Sequence, residues 1–581
     1  MSYSVVFSRA GSPVLSALPS LSPGNKVAFE SEYAALVINR SNGFSPSVER
    51  ASLKSGRLGI VGRIRLDGRD ALLESIGDSA TGDAELCLLS YLRWGEQCTE
   101  HLQGDFSFAI WDEDKQSLFC ARDQLGVRPQ FYAERDGVLY VSDSLEEIRA
   151  VINATTLDDL WVLDFLTTGY SQEFHRSVYK DISRVPPAHI LTASRAGLTV
   201  RRYWRLELDS PIFLRDEDYF EQFHQLVAAA IKDRLPKEGR VGISMSGGLD
   251  STTLAAHAVA ISGSPERVIA ETRYFAQLIH DDEAYFSSLV AQELGVKHIL
   301  TPIDDTFFDP FWRTRGIRTP EPTYSILSMY PKFGIAAEMA REAPVWFCGE
   351  GPDNALTHEW QAYLRWLWAQ EDWTRFAAAL RTFVFGRSLR AWAITVKRKV
   401  SVYLASEKRH GADWLNEEFA NMLGGRETIE NRIAGGDHPE HPWRPSAMSS
   451  LADPIWQDFL ENFDPAVTQT PLEWRHPFLD LRVLNFLLRT PPIPWASRKL
   501  LIRRAMEGML PREILSRNKT PLSEDPMSKL TQKEEHQPLY LCEEARYYVN
   551  EAALPRRPRN ATEQYELQMV HILDHWLRNR H

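Results

Sequence analysis

The sequence predicts an α/β fold in which layered antiparallel sheets precede a doubly wound parallel sheet. A chain of 581 residues is too long for a single hydrophobic core, so more than one domain is expected. Short strand-like runs recur up to about residue 200, whereas strand-like and helix-like stretches alternate after it. The second pattern is typical of parallel sheets with helices on both faces. We therefore predict two domains, residues 1–205 and residues 206–581.

Composition and charge narrow the functional classes. The chain has the composition of a soluble globular protein, and its formal net charge of -12 argues against general binding of nucleic acid, which favours a basic surface. The five cysteines form no C-x-x-C pair, so they predict no zinc site and fit a reducing compartment. The N-terminus lacks a signal-peptide pattern, and no stretch has the roughly 20 apolar residues of a membrane span. We expect a cytoplasmic protein with no membrane span.

The first domain is predicted from a helix and a hairpin among its short strands. Residues 83–94 are helix-like, with leucines among the apolar positions. Strand-like residues 130–133 and 138–141 flank a turn that ends in Gly137, which is a typical hairpin signal. The pattern favours layered antiparallel sheets covered by helices.

The second domain is organised around the loop at residues 246–251. An apolar run at 241–245 leads into the loop and a helix-like stretch at 252–259 leaves it, which indicates a strand, a tight turn and a helix start. This geometry gathers backbone N–H groups and the positive end of a helix dipole, and its two glycines let phosphate oxygens approach the backbone. No Lys follows the turn, so it is not a Walker loop. We predict that ATP phosphates bind Ser246, Gly247, Gly248, Leu249, Asp250 and Ser251.

A second loop, after a later strand, completes the predicted metal site. Residues 345–348 are strand-like and run into Gly349, which we assign to the nucleotide site, and Glu350. Because neutralising a pyrophosphate leaving group takes metal ligands from more than one loop, we assign Asp250 and Asp353 to Mg²⁺. Glu350 lies at the same strand edge, where it could accept a proton from an attacking amine. A surface glycine turn with ordinary acids is the alternative for this segment.

Several blocks of sequence resemble the asparagine synthetase family and occur in that family's order. Residues 246–251 are similar to the pyrophosphate loop of enzymes that cleave ATP to AMP and pyrophosphate, and residues 349–353 resemble the family's Gly-Glu-Gly-x-Asp segment. Residues 473–480 resemble its Arg-x-Pro-Phe-Leu-Asp element, and residues 510–519 resemble its Leu-Pro segment that ends in Arg-x-Lys. A stretch at 104–132 resembles the glutaminase-like N-terminal domain. The resemblance therefore covers nearly the whole chain.

The resemblance implies a degenerate Ntn-hydrolase-like αββα sandwich followed by an ATP pyrophosphatase domain with a helical insert. It implies ATP and Mg²⁺ as cofactors, and it makes Lys519 the catalytic lysine with Arg517 as its neighbour. A fixed cation stabilises the negative charge that grows on oxygen atoms during both steps, and losing one such donor typically costs about 3 kcal/mol. In the related β-lactam synthetases a Tyr stands at the position of Glu350.

The first domain departs from the glutamine-using members of the family. In those members residue 2 is a Cys whose thiol attacks the glutamine amide, whereas this chain has Ser2. No Arg-Gly-Pro-Asp element stands near position 50, and residues 62–68 replace the Asn-Gly pair that would help to stabilise an oxyanion. We predict that the domain is structural and makes no ammonia. A Ser nucleophile exposed by removal of Met1 is the alternative.

A segment between Asn354 and Glu473 is rich in Trp and basic residues. Its aromatic residues at helical spacing indicate packing first, and a basic face is usually just solvated. The functional alternative is a surface for a peptide substrate or a partner protein, since Trp and Arg anchor interfaces, and contact with a membrane surface is a weaker third alternative. Glu461 is a further candidate acid near the site. The crowded tryptophans are Trp360, Trp366, Trp368, Trp373 and Trp392.

The resemblance implies ATP-dependent amide formation through an acyl adenylate, and three substrates compete. They are aspartate with free ammonia, a small amino acid that closes a β-lactam, and a peptide that closes a macrolactam. Loss of the ammonia-producing apparatus favours an amine carried by the substrate, Glu350 in place of Tyr disfavours the β-lactam, and the Trp-rich insert favours a peptide. The chain thus most resembles the lasso peptide macrolactam synthetases.

That resemblance implies a processed core peptide as the substrate, with a leader-peptide protease and a precursor-binding protein as partners. A non-catalytic binding scaffold is the remaining alternative. The presence of Asp250, Asp353 and Lys519 counts against a scaffold, because binding alone needs none of them.

Overall fold

Two six-stranded antiparallel sheets form the first part of the molecule in the computed structural model. The structure describes residues 2–11, 13–14, 25–39, 48–53, 57–385, 413–433, 441–517, 524–531, 540–555, 557–558 and 560–580. The strands of the two sheets are β1 (Ser2–Ser8), β2 (Lys26–Glu30), β3 (Ala34–Asn39), β4 (Glu49–Leu53), β5 (Leu58–Leu66), β6 (Gly104–Asp112), β7 (Ser117–Arg122), β8 (Phe131–Arg135), β9 (Val138–Ser142), β10 (Ser183–Arg184), β11 (His189–Ala193) and β12 (Leu198–Arg202). One sheet has the strand order β10-β8-β9-β1-β3-β2 and the other has the order β12-β11-β7-β6-β5-β4.

The two sheets pack face to face, and helices cover their outer faces. Tyr3, Phe7 and Trp111 lie in the apolar layer between them, where the ring centroids of Phe7 and Trp111 are 5.0 Å apart. The αββα sandwich is therefore as predicted, with the helix at residues 83–94 and the hairpin β8-β9 in their expected places. The helices of this part are α1 (Arg69–Ile76), α2 (Asp83–Trp94), α3 (Leu145–Ile152) and α4 (Asp159–Thr168).

A five-stranded parallel sheet forms the second part. Its strands are β13 (Val241–Ser244), β14 (Val268–Tyr274), β15 (Lys297–Pro302), β16 (Val345–Phe347) and β17 (Glu473–Arg475). Their order is β15-β14-β13-β16-β17, and each neighbouring pair is parallel. The sequence placed β13 and β16 within a few residues, and the alternation of strands and helices between them is as predicted. It did not predict β17, because three residues are too few to show an alternating pattern.

Helices lie on both faces of this sheet, as expected for a doubly wound fold. On one face, α5 (Asp216–Arg234), α6 (Leu249–Ser262) and α7 (Glu283–Leu294) bury the largest apolar core of the molecule. On the other face, α8 (Met329–Glu342) packs its Met339 against Ile269 and Trp346. A Cβ on Gly242 of β13 would lie 2.2 Å from the Trp346 indole, so only glycine leaves room for that ring.

The remaining described helices surround the parallel sheet, and the last of them packs its Met569 and Leu573 in one apolar cluster with Phe165 of α4. None of the helices in the described ranges is long and apolar enough to cross a membrane. These remaining helices are α9 (Pro352–Ala355), α10 (Trp360–Ala369), α11 (Trp373–Phe385), α12 (Glu417–Met422), α13 (Arg426–Ile433), α14 (Pro445–Ala452), α15 (Ile455–Glu461), α16 (Pro465–Thr468), α17 (Leu481–Arg489), α18 (Leu500–Ala505), α19 (Arg512–Ser516), α20 (Pro526–Thr531), α21 (Glu543–Tyr548) and α22 (Ala561–Asn579).

Buried ion pairs join the antiparallel sheets to the second part of the molecule. We give the name interface ion pairs to those in which an arginine before residue 203 faces an acid after residue 320. The buried pair Arg234–Asp67, at 2.9 Å, also joins the two parts, but its arginine lies in the second part. The interface ion pairs are Arg63–Asp464 at 2.7 Å, Arg122–Glu461 at 2.8 Å, Arg128–Glu473 at 3.1 Å, and Arg184 with Glu321 and Glu461. All four arginine side chains are at most 7% exposed, so these charges are hidden from solvent.

Candidate active site

The loop at residues 246–251 forms a closed turn at the carboxyl edge of the parallel sheet. The Ser251 hydroxyl donates to the Ser246 carbonyl at 2.7 Å and lies 3.2 Å from the Ser246 hydroxyl. Gly248 precedes the first residue of α6, so the amides of Leu249 and Asp250 lie in the first helical turn, where an α-helix offers no acceptor. These amides and the helix dipole make the turn suited to an anion, as the sequence predicted.

Two glycines let neighbouring segments touch this turn. A Cβ on Gly247 would lie 2.4 Å from the Phe286 Cβ and 2.9 Å from a terminal nitrogen of Arg517. A Cβ on Gly349 would lie 3.2 Å from the backbone nitrogen of Ser251. The structure therefore brings Gly349 and Arg517 to the loop, as the assignment of both to one site requires.

Lys499 lies between the two carboxylates that were assigned to the metal. Its ammonium contacts an Asp250 oxygen and lies 2.6 Å from an Asp353 oxygen. Asp250 and Lys499 are mostly buried, whereas the Asp353 side chain is 50% exposed. Residues from three distant parts of the chain thus converge on a single positive charge.

Sequence reasoning missed Lys499. It precedes α18, and both it and Arg498 adopt left-handed backbone conformations, with φ of 55° and 53°. Two consecutive non-glycine residues in this region are strained, and such strain is concentrated at functional sites. The only signal in the sequence is a pair of basic residues before a short helix, which is common on protein surfaces.

The convergence of Asp250 and Asp353 bears on the predicted Mg²⁺ site. An ammonium group held by both carboxylates shows that their oxygens surround a position suited to a cation. Carboxylate oxygens are also the ligands that Mg²⁺ prefers, and the ion would share them with the substrate phosphates. The residues present therefore fit the metal, and its assignment to Asp250 and Asp353 stays a prediction.

Glu350 lies in the loop between β16 and α9, beside this cluster. Burial, followed by the negative charge of Glu350, raises the pKa of the Cys348 thiol to about 12. Gly351 has φ of 125°, and a Cβ there would lie 3.1 Å from Leu479 and 3.2 Å from the Phe478 carbonyl. The segment at 473–480 thus packs against the loop.

Arg517 is held against α7 at the edge of the phosphate loop. Its guanidinium lies over the Phe286 ring, 4.2 Å from the centroid, and donates to a Glu283 carboxylate at 3.2 Å. The neighbouring Lys519 lies outside the described residues, so its catalytic role stays a prediction.

Ser2 lies in β1, far from solvent. Its hydroxyl accepts a hydrogen bond from the Asn39 amide at 3.2 Å, and the residue is 7% exposed. Arg63 and Arg65, in the segment that replaces the expected oxyanion-stabilising pair, are engaged with carboxylates on both sides. These contacts are consistent with a structural role for the first domain.

Glu461 lies among the interface ion pairs, whereas the described part of the Trp-rich segment is partly exposed. Glu461 accepts from Arg122 and Arg184, so its charge serves the interface ion pairs. The tryptophans of α10 and α11 divide between packing and exposure: Trp360 stacks on Phe383, whereas Trp368 and Trp373 are 58% and 50% exposed. Trp392 and the basic residues that follow it up to position 409 lie outside the described residues.

Comparisons with known proteins agree with this arrangement. The family described as asparagine synthase matches residues 222–578, and the family described as a glutamine amidotransferase domain matches residues 69–204. The chain is similar to a Bacillus subtilis asparagine synthetase [glutamine-hydrolyzing], with 25% identity over 76% of this chain and 70% of that protein. It is also similar to the amidase chyE of Penicillium rubens, with 25% identity over 49% of this chain and 44% of that protein.

Among solved structures, a Bacillus subtilis glutamine phosphoribosylpyrophosphate amidotransferase covers 53% of this chain and 94% of its own length. Its sequence identity is 11% and its TM-score is 0.25, which is too low to support an argument.

Proposed function

The chain belongs to the asparagine synthase family of ATP-dependent ligases, and we propose that it is a lasso peptide cyclase. In the proposed reaction, an Asp or Glu side-chain carboxylate of a core peptide attacks the α-phosphorus of ATP, and pyrophosphate leaves. The N-terminal amine of the same peptide then attacks the acyl adenylate, which closes a macrolactam and releases AMP.

We assign the first step, the attack of the carboxylate on ATP, to the phosphate loop and to the positive charge between Asp250 and Asp353. The amides of the first turn of α6 bind phosphate oxygens, and Asp250 and Asp353 would hold Mg²⁺, which would supply positive charge for the leaving pyrophosphate. Lys499 supplies a further positive charge at the same place. Charge that is fixed before the reaction stabilises the transition state without a cost of reorganisation.

The second step is assigned to Glu350, with Lys519 as the catalytic lysine by resemblance. Glu350 accepts the proton that the attacking amine must lose. When the peptide is held with its amine facing the adenylate, ring closure is effectively unimolecular. This lowers the activation free energy by several kcal/mol. The protein's part in this step is mainly to hold the two ends of the substrate together.

The choice of substrate depends on one observation. Ser2 stands where a glutamine-using enzyme needs Cys, and its hydroxyl is buried and accepts a hydrogen bond from Asn39. Without a source of ammonia, the amine must arrive with the substrate. Glu350 in place of Tyr disfavours a β-lactam. The exposed rings of Trp368 and Trp373 offer a surface of the kind that anchors peptides.

A leader-peptide protease and a precursor-binding protein are the partners we propose, since the core peptide must be presented with a free N-terminus. The names of the relatives favour a second candidate, an asparagine synthetase. Because Ser2 replaces the Cys of the glutamine-using members, this candidate would take free ammonia as its amine. A scaffold without activity is the third, and the cation site at Lys499 counts against it.

Release of pyrophosphate separates these candidates. The pure protein is incubated with ATP and Mg²⁺ and, in separate arms, with aspartate plus ammonium, a small β-amino acid, and linear peptides that have a free N-terminus and one internal Asp or Glu. We expect release with a peptide, and loss of one water mass from that peptide. Release with aspartate and ammonium alone would overturn the peptide proposal.

A further inference from the structure

Lys332 lies on the sheet-facing side of α8, at the edge of the site. Because α8 connects two parallel strands, it runs opposite to them, and its first turn lies at their carboxyl ends. Lys332 is one turn before Ala336 and two turns before Met339, and both of these residues are buried against the sheet. The ammonium therefore faces the region where the strands end.

Arg273, at the end of β14, occupies the space between the sheet and α8. A terminal nitrogen of its guanidinium lies 3.3 Å from the Met339 sulfur, and its Nε lies 3.2 Å from a Glu271 oxygen. Its side chain is 33% exposed. Its positive charge acts on both Lys332 and Cys348, so Arg273 lies within electrostatic range of Lys332 and of the strand end that leads into the Glu350 loop.

The environment of Lys332 is unusual for a surface lysine. Its side chain reaches solvent, but partial desolvation by the surrounding protein, followed by the charge of Arg273, lowers the pKa of Lys332 to about 8. Within the described ranges, the structure shows no hydrogen bond or ion pair from this ammonium. Glu271 is the one carboxylate bonded to Arg273 there, and its second oxygen is buried without a hydrogen-bond donor. Two nearby cations disfavour each other's charged form unless an anion joins them.

We propose that Arg273 and Lys332 bind the reacting carboxylate of the acyl substrate, beside Glu350, before that carboxylate attacks ATP. The phosphate loop leads into α6 on one face of the sheet, whereas these two cations belong to the face that α8 covers. Carboxylate and phosphate are thus brought to the same edge from opposite sides. The proposal rests on the proposed adenylation of a carboxylate, but it does not depend on whether the substrate is a peptide or aspartate.

Chemical labelling tests this binding without turnover. The protein is treated briefly with acetic anhydride in the presence of Mg²⁺ and α,β-methylene ATP, and acetylation of Lys332 is measured by mass spectrometry against that of the exposed Lys297. The probes are one linear peptide with an internal Glu, the same peptide with Gln at that position, and aspartate. We expect protection of Lys332 by the Glu peptide or by aspartate, and none by the Gln peptide. Equal labelling with all probes, or equal protection by the Glu and Gln peptides, would overturn the proposal.

The labelling result is independent of the product formed. Protection by aspartate alone would support the carboxylate site and overturn the peptide cyclase, whereas protection by the Glu peptide without macrolactam formation would put only the proposed reaction in doubt. Failure of the two proposals is therefore distinguishable.

Kinetics on whichever acid is turned over provide the second test. Loss of a charge-assisted hydrogen bond in Lys332→Gln is expected to raise the KM for the acid about 10- to 100-fold, with the KM for ATP unchanged. Arg341→Gln, which removes an exposed cation from the same helix, is the matched control and should change neither KM. A parallel rise of the KM for ATP in Lys332→Gln would mean a merely structural role.

The pH dependence adds a signature that packing alone would not give. The charged group that acts on Lys332 is Arg273 of β14, which pairs with Glu271 and also acts on Cys348, beside Glu350. The KM for the acid should rise above about pH 8 in the wild type as Lys332 loses its proton. In Lys332→Arg, which keeps its charge, the rise should be absent, and an unchanged profile in that variant would contradict the proposal.

Discussion

The interface ion pairs and the cation site at Lys499 both pair cations with carboxylates, but they differ in exposure and in what they do. At the interface, arginines of the antiparallel sheets face acids of the second part, and all four arginine side chains are buried. At the site, one lysine on a strained backbone serves two carboxylates, and Asp353 is half exposed. The first arrangement hides its charges and joins two bodies. The second leaves its charges within reach of a ligand, so the two should respond to substitution in opposite ways.

The largest effect is expected from Asp250→Asn, which removes one carboxylate from the cation site. Loss of a charge that acts on the leaving pyrophosphate should slow pyrophosphate release by about 1,000-fold. Thermal unfolding should stay within about 2 °C of the wild type, because Lys499 keeps its ion pair with Asp353 and no buried charge is left unpaired. Asp209→Asn, at an exposed ion pair with Arg489, is the matched control and should keep full activity.

Activity close to that of the wild type in Asp250→Asn would show that this loop does not bind the metal and the phosphates. A large drop in stability with little loss of rate would instead show that Asp250 stabilises the fold, as the interface ion pairs do.

Arg63→Met breaks an interface pair and should act on stability. The arginine lies between Asp464 and Asp143, whose side chains are each 1% exposed, so the substitution leaves two buried carboxylates without their cation. The free energy of unfolding in urea should fall by about 3 kcal/mol or more. In contrast, Arg57→Met breaks an exposed pair with Asp114 and should cost less than about 1 kcal/mol. Similar losses in the two variants would show that burial does not set the strength of these pairs.

These two sites also show what the sequence can and cannot reveal. The assignment of the loop at 246–251, Gly349 and Asp353 to one site was possible because each lies in a short contiguous motif. The short strand-like runs and the alternation of strands and helices are likewise local patterns, which is why the antiparallel sheets and the parallel sheet were predicted. Lys499 and the interface arginines depend on contacts between residues more than 100 positions apart, and a buried arginine has no signature that separates it from a solvated one.

Asp458 offers a milder test, through pH, of the region beside the interface ion pairs. Burial, with the charges of Glu461 and Glu321, raises its pKa to about 7. A carboxyl group with a higher pKa in the folded protein than in the unfolded chain binds protons more tightly when folded, so it destabilises the fold as pH rises from about 4 to 7. Asp458→Asn should therefore gain about 1–3 kcal/mol over the wild type between pH 5 and pH 8.

Urea unfolding of both proteins at several pH values measures this gain. Asp114→Asn, at an exposed position, is the control and should follow the wild type. A constant difference between Asp458→Asn and the wild type across the pH range would show that Asp458 is ionised like an ordinary aspartate.

The smallest effect is expected from Ser2→Ala. The change removes one acceptor of an Asn39 hydrogen bond, while Ser4 keeps the other, so the cost in stability should be below about 1 kcal/mol. The rate of pyrophosphate release should stay within about twofold of the wild type, because the proposed reaction uses no group at this position. Loss of activity with a normal fold would instead make Ser2 a nucleophile.

The charge pairing across the interface makes the second part of the molecule dependent on the antiparallel sheets, whatever reaction the first part carries out. Glu461 and Asp464 find their countercharges on those sheets, whereas Glu473 is shared between Arg128 of the first part and Arg475 of its own strand. A shortened descendant that lost those sheets would expose these acids together with the apolar surface around them, and single substitutions could not repair both at once. The antiparallel sheets therefore cannot be deleted in evolution without a redesign of the acids and the apolar surface that face them.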